Sequence, residues 1–131
     1  MKVWPEEVEN AGYVTVLWEF VENPTKDDRI GYYCPFYDKP NHALDYIDVT
    51  KSATWAEGYG SYTLKLYNMR AQCAFRYYTN KDTTKIVAIS NYVRFTNGNV
   101  FSPLQVHISM TNNPSEMRIM WVSAKGLFKC F

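Results

Sequence analysis

The sequence contains no apolar run approaching the ~20 residues that a membrane-spanning helix requires. Its start, Met1-Lys2-Val3-Trp4-Pro5-Glu6-Glu7, also lacks the long apolar core of a secretory leader. The chain is therefore expected either to be cytosolic or to begin after a removed leader. Cysteine is scarce, with Cys34, Cys73 and Cys130 making an odd count that cannot close into intramolecular pairs alone. No C-x-x-C occurs, so zinc and redox readings have no spacing to stand on. The two candidate N-glycosylation triplets, Asn23-Pro24-Thr25 and Asn113-Pro114-Ser115, both carry the forbidden proline. Basic runs are absent and the net charge is only +1, which leaves nothing to neutralise a phosphate backbone and argues against a nucleic-acid partner. Finally, no stretch of ten or more residues repeats with helical period.

Aromatic residues are plentiful, at 17% of the chain, with 11 Tyr, 7 Phe and 4 Trp. Such side chains suit the half-buried face of a sheet. With 131 residues the chain can bury one good core but not two complete ones. Short β-rich runs recur between turn residues, the signature of a sandwich. Residues 13–20 alternate and would place Val14, Val16, Trp18 and Phe20 on one face. Residues 29–34 form the next run, stopped at Pro35. A weaker strand over 43–49 is built on Leu44, Tyr46 and Val49. The runs at 59–67, 73–78 and 86–89 follow, the last two joined by Asn80-Lys81-Asp82 as a hairpin loop. That gives about seven strands by residue 96, enough for a two-sheet core. Asn97-Gly98-Asn99 and Ser102-Pro103 then read as a linker over 98–103. Fresh strands at 104–110 and 117–122 begin a second domain, left incomplete because an isolated hairpin is marginal in water.

Several of these segments resemble the N-terminal region of plant-type purple acid phosphatases. Asp28-Arg29-Ile30-Gly31-Tyr32-Tyr33, followed by Cys34-Pro35, is similar to that family's D-W-I-G-hydrophobic-Y/F-S-P strand. Gly60-Ser61-Tyr62-Thr63-Leu64-Lys65-Leu66-Tyr67-Asn68-Met69-Arg70 resembles its G-S-h-x-h-x-L-x-N-h-R stretch. Phe75-Arg76-Tyr77-Tyr78 matches F-R-hydrophobic-F, and Val87-Ala88-Ile89-Ser90-Asn91 with Val93-Arg94-Phe95 looks like the following strand. Leu104-Gln105-Val106-His107-Ile108-Ser109 and Met117-Arg118-Ile119-Met120-Trp121-Val122-Ser123 are similar to the opening of the family's second domain. The motifs run in order across residues 28–123. The resemblance implies an all-β chain: a fibronectin-III/immunoglobulin-like β-sandwich over 1–97, then the first strands of a second such domain over 104–131. It also implies a secreted, non-catalytic accessory domain of a metallophosphoesterase, whose binuclear metal centre would lie in a catalytic domain absent from this chain. One departure stands out. A tyrosine corner is expected near Cys73, so either another Tyr substitutes or Cys73 makes a different link.

No catalytic or metal-ligating residue, and no cofactor site, is expected in this chain. The family's ligand motifs (G-D-x, G-D-x-x-Y, G-N-H-E and G-H-x-H) are missing, and His42 and His107 lie far apart in sequence. Nucleophile-elbow, Walker and dinucleotide fingerprints are absent too. His107 reads as structural, His42 as a solvated loop residue or a ligand, and Cys34 as a half-buried thiol rather than a nucleophile. The pairs Glu6-Glu7 and Asp27-Asp28 read as solvated faces rather than cation sites. A different class of function, a stand-alone module for glycan or protein partners, rests on the aromatics. Trp55, Tyr59, Phe36 and Tyr37 are its candidate contact residues, joined by Tyr32, Tyr33 and Tyr62 in a stacking platform. Trp18 and Trp121 read as core, and Trp55 as a lid over the open end of the sandwich. Leu104, Val106, Ile108, Ile119 and Trp121 would give the second-domain hairpin an apolar interface, toward the chain's own catalytic domain or another protein chain.

Overall fold

The structure, a computed structural model, describes residues 1–96 and 104–122, with the backbone alone for Leu104, Gln105 and Val122. It divides into two compact units, Met1–Thr96 and Asn97–Phe131. The expected linker at 98–103, the segment 123–131 and Cys130 lie outside the described residues.

The first unit is a β-sandwich. One sheet pairs β1 (Lys2–Trp4), β3 (Gly12–Trp18) and β6 (Gly60–Leu66) in the order β1-β3-β6. The other pairs β4 (Arg29–Tyr33), β5 (Asp45–Asp48), β7 (Ala74–Tyr78) and β8 (Ile86–Ile89) in the order β5-β4-β7-β8. A parallel pair, β2 (Glu7–Val8) with β9 (Arg94–Phe95), ties the two chain ends of the unit together. Alternation drives the packing. Val14, Val16 and Trp18 point inward from β3, and Ile30, Tyr32, Phe75 and Tyr77 meet them from β4 and β7. Trp18 crosses the interlayer against Tyr77 at 6.4 Å between ring centroids, a tilted contact typical of aromatic pairs.

Strands β4 and β7 are buried on both faces, which simple alternation does not predict. The cause is the long connection after Pro35, which folds over the outer face of their sheet. Tyr33 donates a hydrogen bond to the Pro40 carbonyl at 2.6 Å and so accepts one from the Tyr78 hydroxyl at 2.7 Å. Arg76 lies buried beside them, with its guanidinium 4.0 Å from the Tyr33 ring centroid and donating to the Phe36 carbonyl at 2.6 Å. The outer layer is thus a hydrogen-bonded polar network, not a second apolar core.

Several sequence expectations need correction. Phe20 does not continue the buried face of β3. The strand ends at Trp18, Phe20 adopts φ 58°, and its side chain is 92% exposed. In β5 the buried residue is Ile47, not Leu44 or Tyr46. Leu44 is exposed and precedes the strand, so the inward register is shifted by one. The short β1 has no counterpart among the expected strands, because three residues carry too little periodicity. Asp28 is fully buried rather than part of a solvated face.

The second unit, within the described residues, is an antiparallel hairpin of β10 (Leu104–Met110) and β11 (Met117–Val122). Ile108 faces Ile119 and Met110 faces Met117, with a register shift between Leu104 and His107. Trp121, expected in a core, is 56% exposed, since its strand has a single partner strand here. Val106, Ile108 and Ile119 are likewise exposed, and Leu104 is described by its backbone pairing with Val122 alone.

Candidate functional site

The register of the sheets sorts the aromatic candidates between the two ends of the sandwich. At one end β4 and β6 begin while β3, β5 and β7 finish. A 3-10 turn, Trp55–Glu57, closes this end, followed by Gly58 at φ 83°, a left-handed conformation that glycine adopts without a Cβ clash. The Gly58 carbonyl accepts from the Val21 amide at 3.0 Å and pins the turn to the chain leaving β3. Trp55 is half-buried against the core, and Tyr59 is half exposed beside it. Trp55 therefore sits as a lid.

The same end holds a buried carboxylate. Asp28 accepts hydrogen bonds from Thr25 Oγ1 at 2.6 Å, the Thr25 amide at 3.1 Å, the Tyr77 hydroxyl at 2.9 Å and the Asn80 amide at 3.0 Å. Burial alone would raise its pKa, but these donors outweigh it and hold the carboxyl below its ordinary value. The same contact and burial push the Tyr77 hydroxyl upward. With its lone pairs so occupied, Asp28 ties two loops to the core and offers nothing to a cation.

At the opposite end, Phe36 and Tyr37 come together with Tyr92, a residue that sequence reasoning missed. Phe36 and Tyr92 approach at 4.2 Å between centroids, and Tyr37 meets Phe36 edge-on at 5.3 Å. The single platform of Phe36, Tyr37, Trp55 and Tyr59 thus does not assemble. Tyr32 and Tyr33 are buried, and Tyr62 is packed partly against the core. Cys34, just after β4, and Cys73, just before β7, stand 4.4 Å apart at Cα and form a disulfide. Cys34 is not a free thiol, and this disulfide is the different link made by Cys73. Tyr32 packs on it, its hydroxyl 3.5 Å from Cys73 Sγ, and burial pushes that hydroxyl up to about 12.

Beside the Phe36–Tyr92 stack lies an open cleft of about 450 Å³. Glu6, Gln72, Tyr92 and Arg94 form its polar rim, and Ile89 contributes apolar surface. Ser90 and Asn91 line it but are committed to the fold. Ser90 Oγ accepts from the Phe75 amide at 2.9 Å, and the Asn91 side chain bonds the Val3 amide and carbonyl at 2.8 and 3.0 Å. Among the described residues no three His, Cys, Asp or Glu side chains gather as a metal site. His42 hydrogen-bonds Asp38 at 3.1 Å on an exposed loop. The donor set of the described residues does not fit a two-metal centre. No helix of the described residues is long and apolar enough to cross a membrane.

The first unit is thus a β-sandwich with an open cleft at one end. No family model matches the chain. It is 29% identical to a probable inactive purple acid phosphatase of Arabidopsis thaliana, across 96% of this chain and 22% of that protein. Its fold superposes on a purple acid phosphatase from yellow lupin (Lupinus luteus) seeds with a TM-score of 0.79 at 22% identity, over 96% of this chain and 26% of that one. The relatives of this chain are purple acid phosphatases, and it corresponds to about a quarter of their length, with the fold of the N-terminal β-domain.

Proposed function

We propose that this chain is the non-catalytic accessory region of a purple acid phosphatase-like metallophosphoesterase, with its phosphoester-hydrolysing domain supplied elsewhere. The observation that carries this reading is the alignment, which takes in 96% of this chain yet 22% of its relative. In this reading residues 1–97 form a fibronectin-III-like sandwich, 98–103 a linker, and 104–131 the opening of a second β-domain. The hairpin supports that division. It leaves Val106, Ile108, Ile119 and Trp121 in water, at about 25 cal/mol per Å² of apolar surface, and such a face normally meets a partner. The partner proposed is the chain's own catalytic domain or another protein chain. The Cys34–Cys73 disulfide favours a secretory route, since such bonds persist in oxidising compartments.

The purified chain is expected to show no phosphatase turnover above background on a chromogenic phosphomonoester, with ferric, zinc or manganese ions added in turn. Turnover that follows the protein through purification and vanishes in His107→Ala would overturn the assignment.

A further inference from the structure

We infer that the cleft between Tyr92, Gln72 and Glu6 is a binding site for a neutral hexopyranose unit of a glycan. Three separate segments build it, and each is fixed. The Arg94 amide donates to the Glu6 carbonyl at 2.9 Å, and the Phe36 amide donates to the Gln72 carbonyl at 2.9 Å. Cys73 and Val93 exchange both backbone hydrogen bonds at 2.8 Å, and the disulfide anchors Cys73 to the strand leading into Phe36. Arg76, buried beneath, holds the Phe36 carbonyl. The cleft therefore exists before any ligand arrives, which removes the ordering cost that weakens flexible sites.

Its chemistry is that of a sugar. Tyr92 rests one side on Phe36 and remains half exposed in the cleft, a rigid ring that loses little entropy on contact. A pyranose with equatorial hydroxyls presents a flat face of axial C–H groups, which suits such a ring. Around it stand the Glu6 carboxylate, the Gln72 amide and the Tyr92 hydroxyl, none of which has a hydrogen bond within the described residues. Carboxylate and amide are planar groups that can engage neighbouring hydroxyls, each of which donates and accepts. Charge excludes the obvious rival. Arg94 is paired with Glu7 at 3.5 Å and Glu6 lies alongside, so the rim carries no surplus positive charge to hold a phosphate or nucleotide. At about 450 Å³ the cleft falls in the size range of small-ligand sites, roughly 300–1,000 Å³.

The test is an amide-resolved NMR titration of the full chain with cellotriose and, separately, maltotriose and inorganic phosphate. Saturable movement of the Gln72, Tyr92 and Arg94 signals at millimolar cellotriose or maltotriose is expected, with no response to phosphate. Tyr92→Ala should weaken binding about tenfold or more, and Trp55→Ala, at the far end, should leave it unchanged. Gln72→Ala, an exposed change, provides the second variant should Tyr92→Ala fold poorly. The site is overturned if neither trisaccharide produces a saturable shift, if phosphate alone does, or if binding survives both cleft substitutions.

Discussion

Replacing Trp18 by alanine is expected to cost about 3–5 kcal/mol of folding stability, the range for a large aromatic removed from a packed core. Trp18 is 2% exposed, spans the interlayer to Tyr77, and stands at the end of β3 where the strand register meets Gly60. Among the described residues its Nε1 is buried without a hydrogen-bond partner, so what the substitution removes is contact and volume. Trp55→Ala provides the internal comparison. Half-buried on a turn, Trp55 should cost about 1–2 kcal/mol. Denaturant melts of the two variants decide the matter. Equal losses would show that the Trp55 turn is as deep a part of the core as β3.

Asp28→Asn is expected to be nearly as damaging, at about 3–5 kcal/mol near neutral pH. Hydrogen bonds to a charged group contribute about 1.5–3 kcal/mol each, and an orphaned buried donor adds its own penalty. The asparagine NH2 would take the place of one carboxylate oxygen and so point donors at either the Thr25 or the Asn80 amide, each of which itself donates. The pH dependence identifies the cause. Because the folded state holds the Asp28 pKa below its ordinary 3.8, the stability it contributes is fully present above that value. It is lost as pH falls through the lower, folded-state value. The parent chain should therefore weaken on acidification over that interval, and Asp28→Asn should show a flatter acid limb. Asp38 and Asp82 are lowered as well, by hydrogen bonds on the surface, and their contribution to the acid limb should persist in the variant. An unchanged acid slope in Asp28→Asn would remove Asp28 from this role.

Much of the sandwich was legible because its strands obey period-two burial. Val14, Val16 and Trp18 follow that rule. What the residues concealed has local causes. Phe20 fits the alternation in sequence, but a left-handed backbone turn takes it out of the strand. Double burial of β4 and β7 depends on the loop after Pro35, whose path no periodicity encodes. The Cys34–Cys73 pairing hides behind 39 residues of separation and an odd cysteine. The cleft was least visible. Phe36 and Tyr37 stood out as aromatics, but their partners Tyr92, Gln72 and Glu6 come from three distant segments, brought together by backbone hydrogen bonds and the disulfide. In the other direction, the expectation for Trp55 and Tyr59 failed to join them because strand register sends the two pairs to opposite ends.

The most direct test of the accessory role is to read the transcript downstream of the Phe131 codon. The account predicts an open frame that completes the second β-domain and then runs into G-D-x, G-D-x-x-Y and G-N-H-E segments. A stop codon directly after Phe131 in the mature transcript would contradict it, and would make the chain a stand-alone binding module instead.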